Sequence, residues 1–346
     1  MSPMRLANDG SCGPPADDSC GVAGNAQKAN VKIISGGATL WEFQVTRPFA
    51  SSGTDGSGIE FQHVRYKGKQ VLYQAHVPIL NIQYLNATGG CGPTYRDWQN
   101  SENCFQAVGN DPLPGFRLCT SPAKTIFDSG SDSGNFRGVA IYVDGPEVVF
   151  VSELEAGWYR YIPIWRFNVN GTIRPRWAFG AVDNGCTCKT HHHHVYWRLD
   201  FDIETAANNL VEEFNDPILV GNSNWHKKVY EIRRPKDAGH KRKWKISNTV
   251  TGSAYELVPG QDGNSDAYGI GDLWVLRYHP NEIDDGQGFT TNAALSQAHI
   301  DNFKSPAELV ENQDVVIWYA AHFLHDESHA GGPPHIVGPD IRPVKW

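Results

Sequence analysis

Two β-type runs, residues 159–169 and 173–179, are separated by Asn170-Gly171, the strongest local hairpin signal in the chain. Asn and Gly tolerate the positive φ angles of a tight two-residue turn, so the runs are expected to pair as antiparallel strands. The same pattern recurs. Residues 31–34 and 40–45 alternate or run apolar between Gly-rich turns, and 59–66 and 70–75 flank the turn Lys67-Gly68-Lys69. Further strands are expected at 138–143, 147–152, 193–203, 243–247, 273–277 and 315–323. Helical periodicity is scarce. Ser305-Pro306 predicts one capped turn over 305–310, with Ser305 as cap and Pro306 at the first helical position. Many strands and few helices predict an all-β fold, a large antiparallel β-sandwich. Residues 1–30 read as a loop-rich, Cys-containing head and 31–346 as a single β-sandwich domain, with 85–135 as long loops. No internal repeat or linker marks a second domain.

Charge and apolar runs exclude two classes of partner. Lys and Arg number 30 against 38 Asp and Glu, a net charge of −8 with no long basic run, which argues against nucleic acid. Residues 315–321 form one of the longest apolar stretches, far below the ~20 residues of a spanning helix, so no membrane partner is expected. The seven cysteines (Cys12, Cys20, Cys91, Cys104, Cys119, Cys186 and Cys188) contain no C-x-x-C pair. A disulfide staple at Cys12 and Cys20 would hold a head that buries little core. Asn86-Ala87-Thr88 and Asn170-Gly171-Thr172 are N-glycosylation sequons. These features predict an oxidising, secreted or extracytoplasmic setting. Met1-Ser2-Pro3-Met4-Arg5 lacks an apolar signal core, so either a signal has been removed or the protein is cytoplasmic.

The histidines carry the clearest chemistry. Four stand in a row at His191–His194 and lead into Val195-Tyr196-Trp197-Arg198. On a strand, residues two apart share a face, so His191 and His193 point one way and His192 and His194 the other. A pair at that spacing can bind one metal ion. The segment His322-Phe323-Leu324-His325 can supply a third imidazole, and three imidazoles with open positions suit copper or zinc. Downstream, Asp200-Phe201-Asp202 and Asp314 offer oxygen donors from two strands, a set that either holds a hard cation such as Ca²⁺ or caps strand ends.

These segments together resemble the catalytic domain of the copper amine oxidases. Residues 191–202 match an H-x-H motif followed by R-L-D-x-D, and Asp314 to Tyr319 with His325 match a D-x-V-V-W-Y strand and a third histidine. Asp272 to Tyr278 match D-L-W-V-T-R-Y, and Tyr159-Arg160-Tyr161 resembles the N-Y-D-Y cofactor strand. The hairpin from Val64 to Tyr73 resembles the opening hairpin of that domain, and the likeness covers roughly residues 55–326. It implies copper on His191, His193 and His325. It implies calcium on Asp200, Asp202 and Asp314 with the carbonyls of Phe201 and Val315. It further implies topaquinone made from Tyr159, and Tyr84 near a tyrosine that gates substrate access. The implied activity oxidises a primary amine with O2 to aldehyde, H2O2 and ammonia. The implied assembly is a homodimer.

The likeness breaks at specific places. Trp158 and Arg160 stand where the family has Asn and an acid around the cofactor tyrosine. The catalytic aspartate position, a few residues after Trp98-Gln99-Asn100, falls on Asn103, which cannot act as a carboxylate base. Glu102 and Asp97 are the nearby acids that could substitute. After His325 the expected Pro-Arg is replaced by Asp326-Glu327. Three readings follow: a minimal amine oxidase with a substitute base, a copper oxidoreductase with unmodified Tyr159 and another substrate, or a non-catalytic copper-binding protein. Arg160, one position along the strand, is expected to point away from Tyr159. Trp98, Trp158 and Trp165 are candidates for an aromatic channel, and Tyr142 receives no role.

Overall fold

The computed structural model describes residues 20, 24–85, 91–187, 189–260, 270–288, 290, 292, 295, 297–325 and 335–346. Cys12, Cys188, the Asn86 sequon and the segment after His325 that departs from the family lie outside these residues.

Two sheets pack face to face. The first is nine-stranded and runs, edge to edge, through Lys28–Ser35, Ala38–Thr46, Glu60–Tyr66, Lys69–Tyr84, His191–Phe201, Val315–His325, Leu273–Arg277 and Ile232–Arg234, with Thr94–Arg96 beside Lys69–Tyr84. The second is thirteen-stranded, and Glu147–Val151, Tyr159–Asn168 and Ile173–Ala181 lie near its middle. Pairing is antiparallel except between Phe116–Cys119 and Val139–Asp144. The predicted all-β sandwich is therefore the observed architecture. Lys67 and Gly68 take positive φ values of 50° and 81°, the geometry that closes their hairpin without splaying its strands.

The core between the sheets is aromatic. Phe43 stacks on Phe167 with ring centroids 4.5 Å apart, and Phe61 meets Trp165 at 5.0 Å. A second apolar cluster, with Trp274, Trp318 and Ile300, covers the outer face of the first sheet. The strands between these two clusters are buried on both faces, which is why Val315–His325 reads as a continuous apolar run rather than an alternating one.

Three expectations are corrected. Residues 85–135 are not all loop: they contain the strands Thr94–Arg96, Gly109–Leu113 and Phe116–Cys119 and the helical turn Ile126–Ser129. Phe105, Ile126 and Phe136 of this segment pack on the outer face of the second sheet, and a buried backbone must pair its polar groups. Residues 305–310 form no helical turn. A 3-10 helix, Ile300–Lys304, ends just before Ser305, as the restriction on a residue preceding proline favours. Beyond it the chain pairs instead with residues 229–231: the Val310 amide donates to the Val229 carbonyl at 2.9 Å and Leu309 bridges Tyr230. Cys20 bonds to Cys104, tying the head to a segment near the second sheet rather than to itself. Cys91 bonds to Cys186, joining the segment after Tyr84 to the one before His191. Cys119 is a free thiol. Among the described residues no helix is long and apolar enough to cross a membrane.

Candidate metal centre

The His191–Phe201 strand lies between Lys69–Tyr84 and Val315–His325, and its register sets His191 opposite Tyr84 on one side and His325 on the other. Alternation divides the histidine run as expected. His191 and His193 turn inward between the sheets with their Nε2 atoms 3.0 Å apart, and the His191 and His325 rings lie 4.9 Å apart. On the opposite face, His194 Nδ1 lies 2.7 Å from His322 Nδ1, and His322 Nε2 donates to the Gly271 carbonyl at 2.8 Å.

The inner pair suits a metal. Burial pushes His191 down to about 3 and His193 well below its ordinary value, with neighbouring imidazoles adding to the effect, so both rings are neutral. His191 Nδ1 donates to the Lys189 carbonyl, which leaves its Nε2 as a lone-pair donor facing His193. Neutral, convergent imidazole nitrogens are the donor set of copper or zinc.

Tyr159 reaches this point from the second sheet. Its hydroxyl donates to His191 Nε2 at 3.1 Å, and Tyr84, whose hydroxyl lies 2.8 Å away, donates to Tyr159. Trp158 Nε1 donates in turn to the Tyr84 hydroxyl at 3.3 Å. The three bonds run in one direction, from Trp158 through Tyr84 and Tyr159 to His191. Burial raises Tyr159 well above the ordinary phenol range and Tyr84 to about 12.

A cavity of about 70 Å³ opens beside Tyr159 and Tyr84, and Tyr95, Asp97, Trp98 and Trp158 also line it. Trp165 does not; it packs in the core against Phe61. Arg160 points away from Tyr159 and forms a buried ion pair with Asp132, Nε to Oδ1 at 2.7 Å.

Asn103 lies away from the cavity lining. Its Nδ2 donates to Asp132 at 2.7 Å and to Glu153 at 2.9 Å. Glu102 is held by buried Arg47, whose Nε donates to Glu102 Oε1 at 3.1 Å. Asp97 alone of the three positions lines the cavity. Its Oδ2 accepts the Tyr161 hydroxyl at 2.5 Å, and the Tyr161 ring stacks at 5.6 Å from Tyr159. Burial pushes Asp97 up to about 7 in spite of that hydrogen bond. The sequence reading overlooked Tyr161, although strand alternation sets it on the same face as Tyr159.

At the far end of the histidine strand, Asp200, Asp202 and Asp314 bring one carboxylate oxygen each within 4.8 Å of one another. Both Asp200 oxygens and Oδ1 of Asp202 and Asp314 are buried without hydrogen-bond partners. Arg198 stands 3.9 Å from Asp200. Burial raises Asp200 well above the ordinary range, Asp202 to about 7 and Asp314 to about 6, with mutual repulsion adding to the first two. Phe201 and Val315 are cross-strand partners beside this cluster. Unsatisfied carboxylates this close fit a hard divalent cation.

A family model for the copper amine oxidase enzyme domain matches residues 175–337. That span includes the histidines and the acidic cluster but not Tyr159, Tyr84 or Asp97. A copper-containing amine oxidase (gamma 2) of Arabidopsis thaliana is 24% identical over 269 residues, covering 60% of this chain and 39% of the relative. The chain thus spans about two fifths of that relative's length. Among solved structures, a copper-containing benzylamine oxidase from Hansenula polymorpha superposes with a TM-score of 0.63 at 18% identity, over 88% of this chain and 58% of the other. The lysyl oxidase of Pichia pastoris gives a TM-score of 0.56 at 13% identity, over 94% and 56%. At these identities the structural likeness speaks to the fold.

Proposed function

We propose that this chain, which resembles the copper amine oxidase enzyme domain over residues 175–337, is a diverged member of that family and a copper-dependent oxidoreductase that oxidises a small primary amine with O2 to aldehyde, H2O2 and ammonia. One observation carries the reading: the Tyr159 hydroxyl lies 3.1 Å from the inward nitrogen of buried His191, which is 3.0 Å from Nε2 of buried His193, and the half-buried His325 ring stands 4.9 Å from that of His191. In this reading His191, His193 and His325 hold copper. Copper bound there would supply the oxidation of Tyr159 by O2 to topaquinone and the return of electrons from the reduced ring to O2. The His191–Lys189 hydrogen bond fixes the tautomer that offers Nε2 to the metal. Trp158 and Tyr84 hold the Tyr159 hydroxyl toward the metal. Calcium is assigned to Asp200, Asp202 and Asp314, with Phe201 and Val315 as carbonyl donors.

The cavity argues for the kind of amine. Its walls are chiefly aromatic and aliphatic, its volume is about 70 Å³, and Asp97 is the one carboxylate lining it among the described residues. A short apolar monoamine fits such a space, whereas a diamine would bring a second ammonium with no acid to meet it. The two disulfides support a secreted or extracytoplasmic setting. A homodimer, as the family resemblance implies, completes the proposal.

The test is the visible spectrum of copper-loaded, aerated protein, with mass analysis of the peptide containing Tyr159. A quinone band that shifts with phenylhydrazine, together with peroxide release from propylamine or benzylamine, is expected. Copper bound beside an unmodified Tyr159 would turn the assignment to the other copper oxidoreductase reading.

A further inference from the structure

We propose that Asp97 is the proton acceptor of this site, in place of the family's aspartate, whose position Asn103 occupies. The proposal rests on the oxidase reading above. It stands on the layout of three candidate side chains.

Glu102 is bound on both carboxylate oxygens by Arg47, and the two side chains are 3% and 0% exposed. To act it would have to leave a buried cation unpaired, which is strongly unfavourable. Asn103 carries no titrating group and is committed to Asp132 and Glu153. Asp97 shares a cavity wall with Tyr159 and Tyr84. Among the described residues it makes one side-chain hydrogen bond, from Tyr161 to Oδ2, so Oδ1 is uncommitted. The bond from Tyr161 positions the carboxylate, and the Tyr161 ring stacked beside Tyr159 keeps it near residue 159.

Asp97 would take the α-proton of the captured amine on a carboxylate oxygen as the carbon–hydrogen bond breaks. A quinone at residue 159 would accept that bond's electron pair, and O2 would take up the two electrons and leave as H2O2. An acid poised near neutrality suits this work, and burial has moved Asp97 into that range.

Asp97→Asn keeps the side-chain shape and an oxygen for Tyr161. The variant, the wild type and Asp97→Glu are to be copper-loaded in air and titrated with phenylhydrazine. Each is then mixed anaerobically with propylamine while the quinone band is followed. Copper-free forms are titrated with propylamine at alkaline pH by NMR. The expected result is a hydrazine-reactive band in all three. Bleaching by propylamine should slow by about 10²–10⁴-fold in Asp97→Asn, the usual worth of a positioned base, and recover in part in Asp97→Glu. Propylamine binding to the copper-free protein should also weaken in Asp97→Asn, through loss of the carboxylate that meets the ammonium. Bleaching of Asp97→Asn at the wild-type rate would overturn the assignment while leaving the oxidase reading intact. A wild type that forms no hydrazine-reactive band would overturn both.

Discussion

The Tyr159 hydroxyl lies 3.1 Å from Nε2 of His191, although the two residues stand in different sheets. The contact crosses the interior of the sandwich at one end, where the His191–Phe201 strand begins and the Tyr159–Asn168 strand also begins. A metal on the inward histidines would therefore lie near a phenol that the opposite sheet supplies.

The inward and outward histidines should separate cleanly by mutation. His191→Ala and His193→Ala are expected to lower copper affinity by more than the 10–100-fold (order of magnitude) that loss of a mere supporting partner costs. His194→Ala should leave copper binding intact and lower stability by about 1–3 kcal/mol, because His322 loses a buried partner. Copper content after equilibrium dialysis, with thermal melts alongside, decides the matter. The reverse pattern would place the metal on the wrong face.

Calcium should stabilise the protein through the Asp200, Asp202 and Asp314 cluster. At a free concentration a hundredfold above Kd the gain is expected near 2.7 kcal/mol (about), and Asp314→Asn should remove most of it. Magnesium should do less, since it holds its waters more tightly and demands a smaller octahedral site. Denaturant unfolding with and without each ion measures this, and an identical response in Asp314→Asn would refute the cluster as the site.

Trp158→Asn, which restores the family's residue, should speed the conversion of Tyr159 severalfold. The indole currently donates to Tyr84, and Tyr84 in turn lies against the Tyr159 hydroxyl. Removing it frees both phenols and enlarges the cavity that they line. The growth of the phenylhydrazine-reactive band after copper addition reports the rate, and slower growth in Trp158→Asn would contradict the idea.

Glu153 should give the protein a stability that falls as pH rises. Burial pushes it up to about 8, against hydrogen bonds from Ile126 and Asn103 and the attraction of Arg160. A carboxyl whose folded pKa exceeds its unfolded value of about 4.3 binds more protons when folded, so it loses stability as pH climbs from there to about 8. Glu153→Gln should flatten that part of the pH profile and be the more stable protein at alkaline pH, by on the order of a few kcal/mol. Urea unfolding across the range tests it; parallel profiles for the two proteins would exclude Glu153 as the titrating group.

Much of the frame is legible in the chain. Period-two patterning and the Asn170-Gly171 turn are local, so they announce the strands and the hairpin directly. The same alternation separates His191 and His193 from His192 and His194 before any tertiary contact is considered. Patterning is weaker where burial depends on distant partners. The short strands within 85–135 carry no clear alternation, because their pairing and packing come from other parts of the second sheet.

What only the tertiary structure decided is which of three nearby polar side chains faces the cavity. Glu102, Asn103 and Asp97 lie within seven consecutive residues and differ little as sequence. Arg47 claims Glu102 from 55 positions away, while Asp132 and Glu153 claim Asn103 from 29 and 50. Among the described residues Tyr161 alone donates a side-chain hydrogen bond to Asp97, from 64 positions away, and Asp97 lines the cavity. Residue type and strand period set which faces a segment can offer. The partners that desolvate and hold each side chain come from remote parts of the chain, and only folding brings them together.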